Sequence, residues 1–188
     1  NGLAIAAFAQ GYNLFGDDSY RQAAEKAAEY IWQVHHKDDN SLYRSSYDGQ
    51  ANNEGILDDY AFLIWGLLEL YQADFQTKHL ERALELTLIM IEDFWDQSEG
   101  GFFFTPEGQA DLIHRNKEVY DGAIPSGNSV AVNNLIRLGR ILSRPDFEEM
   151  AQKTAASFSS QVNRVSMGHT QLMIGLLSVL SGSSEVVI

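Results

Sequence analysis

The chain has no cysteine, which removes disulfide scaffolds, thiol nucleophiles and cysteine-bound zinc from consideration. It is also poor in positive charge, with 13 Lys and Arg against 26 Asp and Glu and a formal net charge of −13. Nucleic-acid backbones and anionic membrane surfaces are bound through clustered Lys and Arg, so neither is an expected partner. No apolar run approaches the ~20 residues of a membrane span, the longest near the start being Leu3 to Ala9, and no basic segment precedes it as in a signal peptide. Zinc-protease spacing of the H-E-x-x-H type, phosphate-cradling glycine loops and the G-x-S-x-G nucleophile elbow are all missing. We therefore expect no metal, no cofactor and a cytoplasmic location.

What is present is helical periodicity. Phe147, Met150, Ala151, Thr154, Ala155, Phe158 and Val162 form one apolar stripe, opposite Glu148, Glu149, Gln152 and Lys153. Tyr20, Ala23, Ala24, Ala27 and Ile31 repeat the pattern, as do Leu80, Ala83, Leu84, Met90, Ile91 and Phe94. Between these lie stretches apolar on nearly every side: Leu3 to Tyr12, Leu57 to Phe75, Ser129 to Leu142 and His169 to Leu180. A helix apolar all round must be covered by neighbours. The pattern predicts an all-α array of helical hairpins, four inner helices alternating with three outer ones.

Connection lengths assign a functional face. Inner-to-outer links are short, whereas two outer-to-inner links, Lys37 to Ile56 and Asp96 to Ile124, are long. Loops of that length in a compact domain usually carry function. Both contain strand-like pieces, Leu42-Tyr43-Arg44 and Gly101-Phe102-Phe103-Phe104-Thr105, and both lead to the positive N-terminal end of an inner helix.

Two polar clusters fall on that face. The first holds Glu54 and the sequence Leu57-Asp58-Asp59-Tyr60. Asp58 is expected either as the helix N-cap or as a ligand-binding group, and Asp59, one step further in, as a carboxylate lining a cleft. The second runs from His114 to Ser129 and contains Arg115, Glu118, Tyr120, Asp121, Ser126, Asn128 and Ser129. Pro125 with Ser126 or Asn128 accounts for helix initiation; the remaining polar groups suit a polyhydroxylated ligand, with a plain salt bridge from Arg115 to Glu118 or Asp121 as the alternative. Paired carboxylates can serve as acid and base in sugar chemistry, so Asp59, Glu118 and Asp121 are the catalytic candidates. Among the histidines, His169 begins the last inner helix on the loop-rich face and joins them. His35 and His36 read as cations at a helix end, and His79 as a residue of the far face.

The runs Leu57-Asp58-Asp59-Tyr60-Ala61-Phe62, Phe94-Trp95-Asp96, Gly100-Gly101-Phe102-Phe103-Phe104-Thr105, Arg115-Asn116-Lys117-Glu118 and Asp121 to Ser129 resemble the YyaL-like family, which includes spermatogenesis-associated, thioredoxin-domain-containing proteins. The resemblance implies an (α/α)6 toroid of the six-hairpin glycosidase kind, related in architecture to N-acylglucosamine and cellobiose 2-epimerases. It also implies a parent protein with an N-terminal thioredoxin-like domain, so residues 1–188 are expected to be one partial domain, about half of a toroid and cut at both ends, at Asn1 and after Ser183 to Ile188. The expected partners are a saccharide and either the missing half-toroid or a second copy held through open helix edges. The functional alternatives are a sugar-active hydrolase or isomerase, a non-catalytic carbohydrate-binding or scaffold domain, and a purely structural piece.

Overall fold

A computed structural model describes residues 1–108 and 114–180. Among these residues the fold is all-α apart from one small hairpin, and the chain divides into two units, Asn1–Trp95 with Phe103–Asn116, and Asp96–Phe102 with Lys117–Ile188.

The first unit contains α1 (Gly2–Phe15), α2 (Asp18–Val34), strands β1 (Tyr43–Tyr47) and β2 (Gln50–Glu54), α3 (Leu57–Asp74) and α4 (Thr77–Phe94). α1 stops because Gly16 turns left-handed at φ 70°, and Asp17 starts α2 by accepting the Ser19 N–H at 2.9 Å. The two strands pair antiparallel, from Tyr43 opposite Glu54 to Tyr47 opposite Gln50, across Asp48-Gly49 with both φ angles positive. That dipeptide matches the right-handed twist of a two-residue hairpin. The core is built from Ile5 and Ala9 of α1, Ala24 and Ala28 of α2, Leu57, Tyr60, Ile64, Leu67 and Leu68 of α3, and Leu86, Met90 and Phe94 of α4.

α1 and α3 run in the same direction and touch backbone to backbone. A methyl at Gly66 would stand 2.9 Å from the Gly2 carbonyl oxygen and 3.0 Å from Ile5 Cβ, and one at Gly2 would meet the Phe62 backbone at 2.4 Å. Only glycine permits this approach at these two positions. The N-termini of both helices consequently lie together.

The second unit contains α5 (Gly127–Leu142), α6 (Pro145–Ser157), the short α7 (Ser159–Arg164), a 3-10 turn over Ser166–Gly168, and α8 (Thr170–Leu180). α5 and α8 are also parallel, since the Asn133 amide donates to Gln171 O and the Arg140 guanidinium to Ser178 O. Buried Val130, Ala131, Leu135, Ile136, Leu138, Phe147, Phe158 and Leu172 form the core.

Several expectations are corrected. The third outer helix is broken at Phe158 into α6 and α7, giving eight α-helices among the described residues where seven were expected. Thr154 and Ser157 return their hydroxyls to the carbonyls of Met150 and Thr154, and such back-bonding disturbs a helix end. The last helix begins at Thr170, with His169 just before it. Gly101 to Thr105 forms no strand, because its peptide groups find scattered partners: Phe103 N–H donates to Phe94 O and Phe104 N–H to Asn116 O. α3 and α5 are buried nearly all round, whereas α1 and α8, the first and last inner helices, expose Phe8, Leu14 and Phe15, and Ile174, Leu177 and Leu180, as open helix edges would. His79, in the first turn of α4, is buried at 1% exposure. The stretch Ser183 to Ile188 lies outside the described residues.

Candidate functional site

In the first unit the chain enters α3 through Ile56, not Asp58. Ile56 is the N-cap, and Asp59, at the third helical position, reaches back to accept the Ile56 N–H at 2.9 Å. Asp58 therefore sits inside the first turn, and the N-cap reading of it is corrected. Both carboxylates lie at the positive end of α3. Asp59 also borders a cavity of about 130 Å³ whose other walls include Asn1, His35, Tyr43, Arg44 and Phe62. Burial raises the pKa of Asp59 above the ordinary carboxylate value, and the amide of Ile56 only partly offsets this. The site thus holds a carboxylate that keeps its proton more readily than a surface aspartate.

Tyr60 and Arg115 are structural in this unit. The Tyr60 hydroxyl accepts the Leu42 N–H at 2.8 Å, and burial pushes the phenol's pKa well up, so it stays neutral while anchoring the loop before β1. The Arg115 guanidinium donates to Thr105 O and to Asp93 O at 2.6 to 3.0 Å and lies 4.2 Å from the Phe103 ring centroid. It ties the loop carbonyl of Thr105 to the last turn of α4 at Asp93. Glu54 is exposed at the end of β2 and pairs with Lys37.

In the second unit the polar residues gather at the N-termini of α5 and α8. Asp121 accepts the Ser126 N–H at 2.9 Å with one carboxylate oxygen and the Gln171 N–H at 2.8 Å with the other, so a single side chain caps both helix entrances. Ser126 is the N-cap of α5, accepting from Ser129 N–H, and its hydroxyl meets that of Ser129 at 2.9 Å. Asn128, fully buried, bonds both peptide groups of Phe102 and donates to Glu118 O at 2.8 Å. The Glu118 side chain is exposed. Lys117 bonds Asp96 Oδ2 at 2.7 Å and Gly100 O at 3.0 Å. Desolvation would raise the Asp96 pKa, yet Lys117, Ser98 and two amides hold it far below the usual range.

His169 is 3% exposed, and its Nδ1 lies 2.8 Å from Val165 O. A carbonyl can only accept, so Nδ1 carries the proton and, in the neutral ring, Nε2 carries the lone pair. The exposed Tyr120 ring meets the imidazole edge to face, centroids 6.1 Å apart. A Cβ on Gly168 would stand 2.5 Å from that ring, so the bare glycine makes room for it.

The candidate residues thus form two groups. Glu54, Asp58, Asp59, Tyr60 and Arg115 belong to the first unit, and Glu118, Tyr120, Asp121, Ser126, Asn128, Ser129 and His169 to the second. Sequence reading missed His35 and Arg44 as walls of the Asp59 cavity. Among the described residues, Glu25, Asp74 and His79 bring possible metal-ligand atoms within 4.8 Å of one another. Lys78, Arg21 and Gln76 already donate to those carboxylates, which satisfies them without an ion. No described helix is long and apolar enough to cross a membrane.

No protein-family model matches the chain. Among solved structures it superposes on an alpha-mannanase of Bacteroides thetaiotaomicron (TM-score 0.68, 13% identity, 85% of this chain and 43% of that one). It superposes also on the cellobiose 2-epimerase of Spirochaeta thermophila (0.67, 18%, 84% and 41%). A third match is an alpha-1,6-mannanase of Salegentibacter (0.65, 16%, 81% and 44%), solved as an inactive variant with two consecutive aspartates changed to asparagine and in complex with alpha-1,6-mannotriose. At these identities the likeness establishes the fold, an α/α toroid of helical hairpins. Curated relatives are closer in sequence: an uncharacterized protein of Caenorhabditis elegans is 35% identical over 196 residues, covering all of this chain and 26% of that protein. Over its whole length the chain is similar to spermatogenesis-associated protein 20, 33% identical in Rattus norvegicus and 32% in Homo sapiens, and it spans about a quarter of the length of these relatives.

Proposed function

We propose that the chain is a carbohydrate-active part of a larger toroid protein, acting on saccharides by acid/base chemistry of carboxylates. The observation that carries this reading is the consecutive pair Asp58-Asp59 in the first turn of α3, with Asp59 half-buried against a cavity and its pKa raised. A carboxyl whose proton is held more readily than usual, beside a second carboxyl, is the kind of pair that can divide acid and base work in glycosidic chemistry. The mannanase neighbour that is inactive with two consecutive aspartates replaced supports the choice of this pair. In this reading Asp59 donates the proton and Asp58 is its partner carboxylate, both in the first unit; exposed Glu118 and the Nε2 of His169 are candidate acid/base groups of the second unit taken by itself. Asp121, engaged through both oxygens, positions the α5 and α8 entrances. Glu54 in the first unit and Tyr120 in the second are the exposed candidate sugar contacts, each within its own unit, whereas the hydroxyls of Ser126 and Ser129 are committed to the entrance of α5; the parent protein is placed in the cytoplasm with a thioredoxin-like domain.

The test is saccharide binding and turnover by the full-length protein, with alpha-1,6-mannotriose, cellobiose and mannose as probes. Binding that disappears in the double variant Asp58→Asn, Asp59→Asn is expected. No binding of any neutral or acidic sugar would sink the reading. A second reading, a non-catalytic carbohydrate-binding or scaffold domain, is favoured by the structural bonding of Asn128, Asp121, Tyr60 and Arg115. Binding without turnover, unaffected by Asp59→Asn, Glu118→Gln and Asp121→Asn together, would select it.

A further inference from the structure

The end of α2 and the strand β1 bring a histidine and a serine together in an arrangement that the sugar reading does not use. His35 is the C-cap of α2 and is 7% exposed. Its Nδ1 lies 2.9 Å from Tyr43 O, which can only accept, so Nδ1 carries the proton. In the neutral ring Nε2 then holds the lone pair, and it lies 3.0 Å from Ser46 Oγ. Ser46 donates its hydroxyl hydrogen to that nitrogen. The Tyr30 hydroxyl lies 3.3 Å from the same Oγ and, with the serine hydrogen already committed, is the donor in that contact.

Two further contacts fix the ring and its backbone. The Tyr43 N–H donates to His35 O at 2.8 Å, and the Tyr30 ring meets the imidazole at 60° with centroids 6.2 Å apart. The order is hydroxyl, base, and an acceptor that orients the base from behind, which is the geometry of an activated nucleophile. The orienting group is a main-chain carbonyl in place of a carboxylate. Alternation along β1 sends neighbouring Ser45 the other way, to Asn52 O and the Asn53 amide, so only Ser46 meets the histidine. Ser46 is half-buried, and Tyr30 and Tyr47 beside it are 49% and 84% exposed, so the hydroxyl stands where a solute can reach it.

We propose that Ser46 is a nucleophile activated by His35, with the Tyr30 phenol as donor to the developing oxyanion, and that the substrates are carboxylic esters. Ser46 Oγ bonds to the acyl carbon while its proton passes to His35 Nε2. The tetrahedral adduct collapses by breaking the bond to the alcohol oxygen, which leaves with the proton from Nε2. Water, deprotonated by the same nitrogen, then attacks the acyl-serine; the Oγ–carbon bond breaks, Oγ recovers its proton, and a carboxylic acid leaves. The sum is ester plus water giving acid plus alcohol, with no change of oxidation state. This assignment does not depend on the chemistry of the aspartate pair, although His35 also borders the Asp59 cavity.

The experiment treats the intact protein with a fluorophosphonate probe, locates the adduct by peptide mass spectrometry, and follows hydrolysis of p-nitrophenyl acetate. The expected result is an adduct on Ser46, absent in Ser46→Ala and kept in Ser45→Ala. In His35→Gln the labelling rate should fall by about 10²-fold or more, the usual contribution of a general base. Because His35 is buried, the pH dependence of labelling in the unaltered protein is measured alongside, and the rate should rise with a single deprotonation. An unmodified Ser46, labelling undiminished in a folded His35→Gln protein, or a rate flat with pH would overturn the proposal.

Discussion

Asn128 holds the peptide groups of Phe102 as a neighbouring strand would: its Oδ1 accepts the Phe102 N–H at 2.8 Å and its Nδ2 donates to the Phe102 carbonyl at 2.9 Å. Both residues are fully buried. Asn128→Ala leaves two Phe102 groups and the Glu118 carbonyl without this partner, and an unmade buried hydrogen bond costs about 1–3 kcal/mol. We expect a loss of about 3 kcal/mol or more in denaturant unfolding. Asn128→Asp, which keeps the acceptor and removes the donors, should be at least as damaging.

The contact of α1 with α3 gives a second expectation. Gly66→Ala places a methyl 2.9 Å from the Gly2 carbonyl, with backbone on one side and the Ile5 side chain on the other. The helices must separate, and overpacking of this kind costs about 1–3 kcal/mol. Gly11→Ala, where the nearest atom is the Tyr20 ring at 3.5 Å, should be neutral or slightly stabilising in the same thermal scan.

Asp59 makes stability fall as pH rises. Burial raises its folded-state pKa, so between the unfolded value of 3.8 and the folded value the native state binds more protons than the unfolded chain. Stability is lost across that window and level above it. Asp59→Asn still offers an acceptor to Ile56 N–H and removes the penalty. The variant should melt higher than the unaltered protein at pH 7, with the difference vanishing below the ordinary carboxylate pKa. A lower melting temperature at pH 7 would contradict this.

Lys117 and Asp96 behave in the opposite sense. The Asp96 pKa is depressed, so its contribution is complete above the unfolded value and lost as pH falls towards the folded one. Lys117→Met removes a charge-assisted bond of 2.7 Å within a half-buried cluster. Unfolding at pH 7 should become easier by roughly 1.5–3 kcal/mol, and the acid limb of the stability curve should flatten.

The long helices were legible because periodicity reports burial directly: the all-round apolar run from Leu57 marked α3, and the stripe from Leu80 marked α4. Cap register was less legible. Two adjacent carboxylates offer two ways to start a helix, and the choice fell to Asp59 reaching back to Ile56. The aromatic run at Phe102 to Phe104 reads as a strand by propensity, but its peptide groups are met by Asn128, Phe94 and Asn116. A strand needs a neighbour, and propensity does not reveal one. The candidate site suffered most from this. A long loop must satisfy its own backbone, so Arg115, Asn128 and Asp121, which look from sequence like ligand groups, are bonded to main chain. From sequence His35 reads only as a cation at a helix end for the converse reason, since its neighbours Tyr43, Ser46 and Asp59 come from distant positions.

The glycine contact between α1 and α3 also bears on how the Asp59 cavity can change. Gly2 and Phe62, which meet there, both line that cavity. Where helices touch through main chain there is no layer of side chains to shift between rotamers, so this wall has a fixed position. A ligand too large for the space cannot be admitted by repacking at that point. Any widening of what the cavity accepts must come from exchanging Asp59, Arg44 or Phe62 themselves, or from movement of the hairpin on the opposite side.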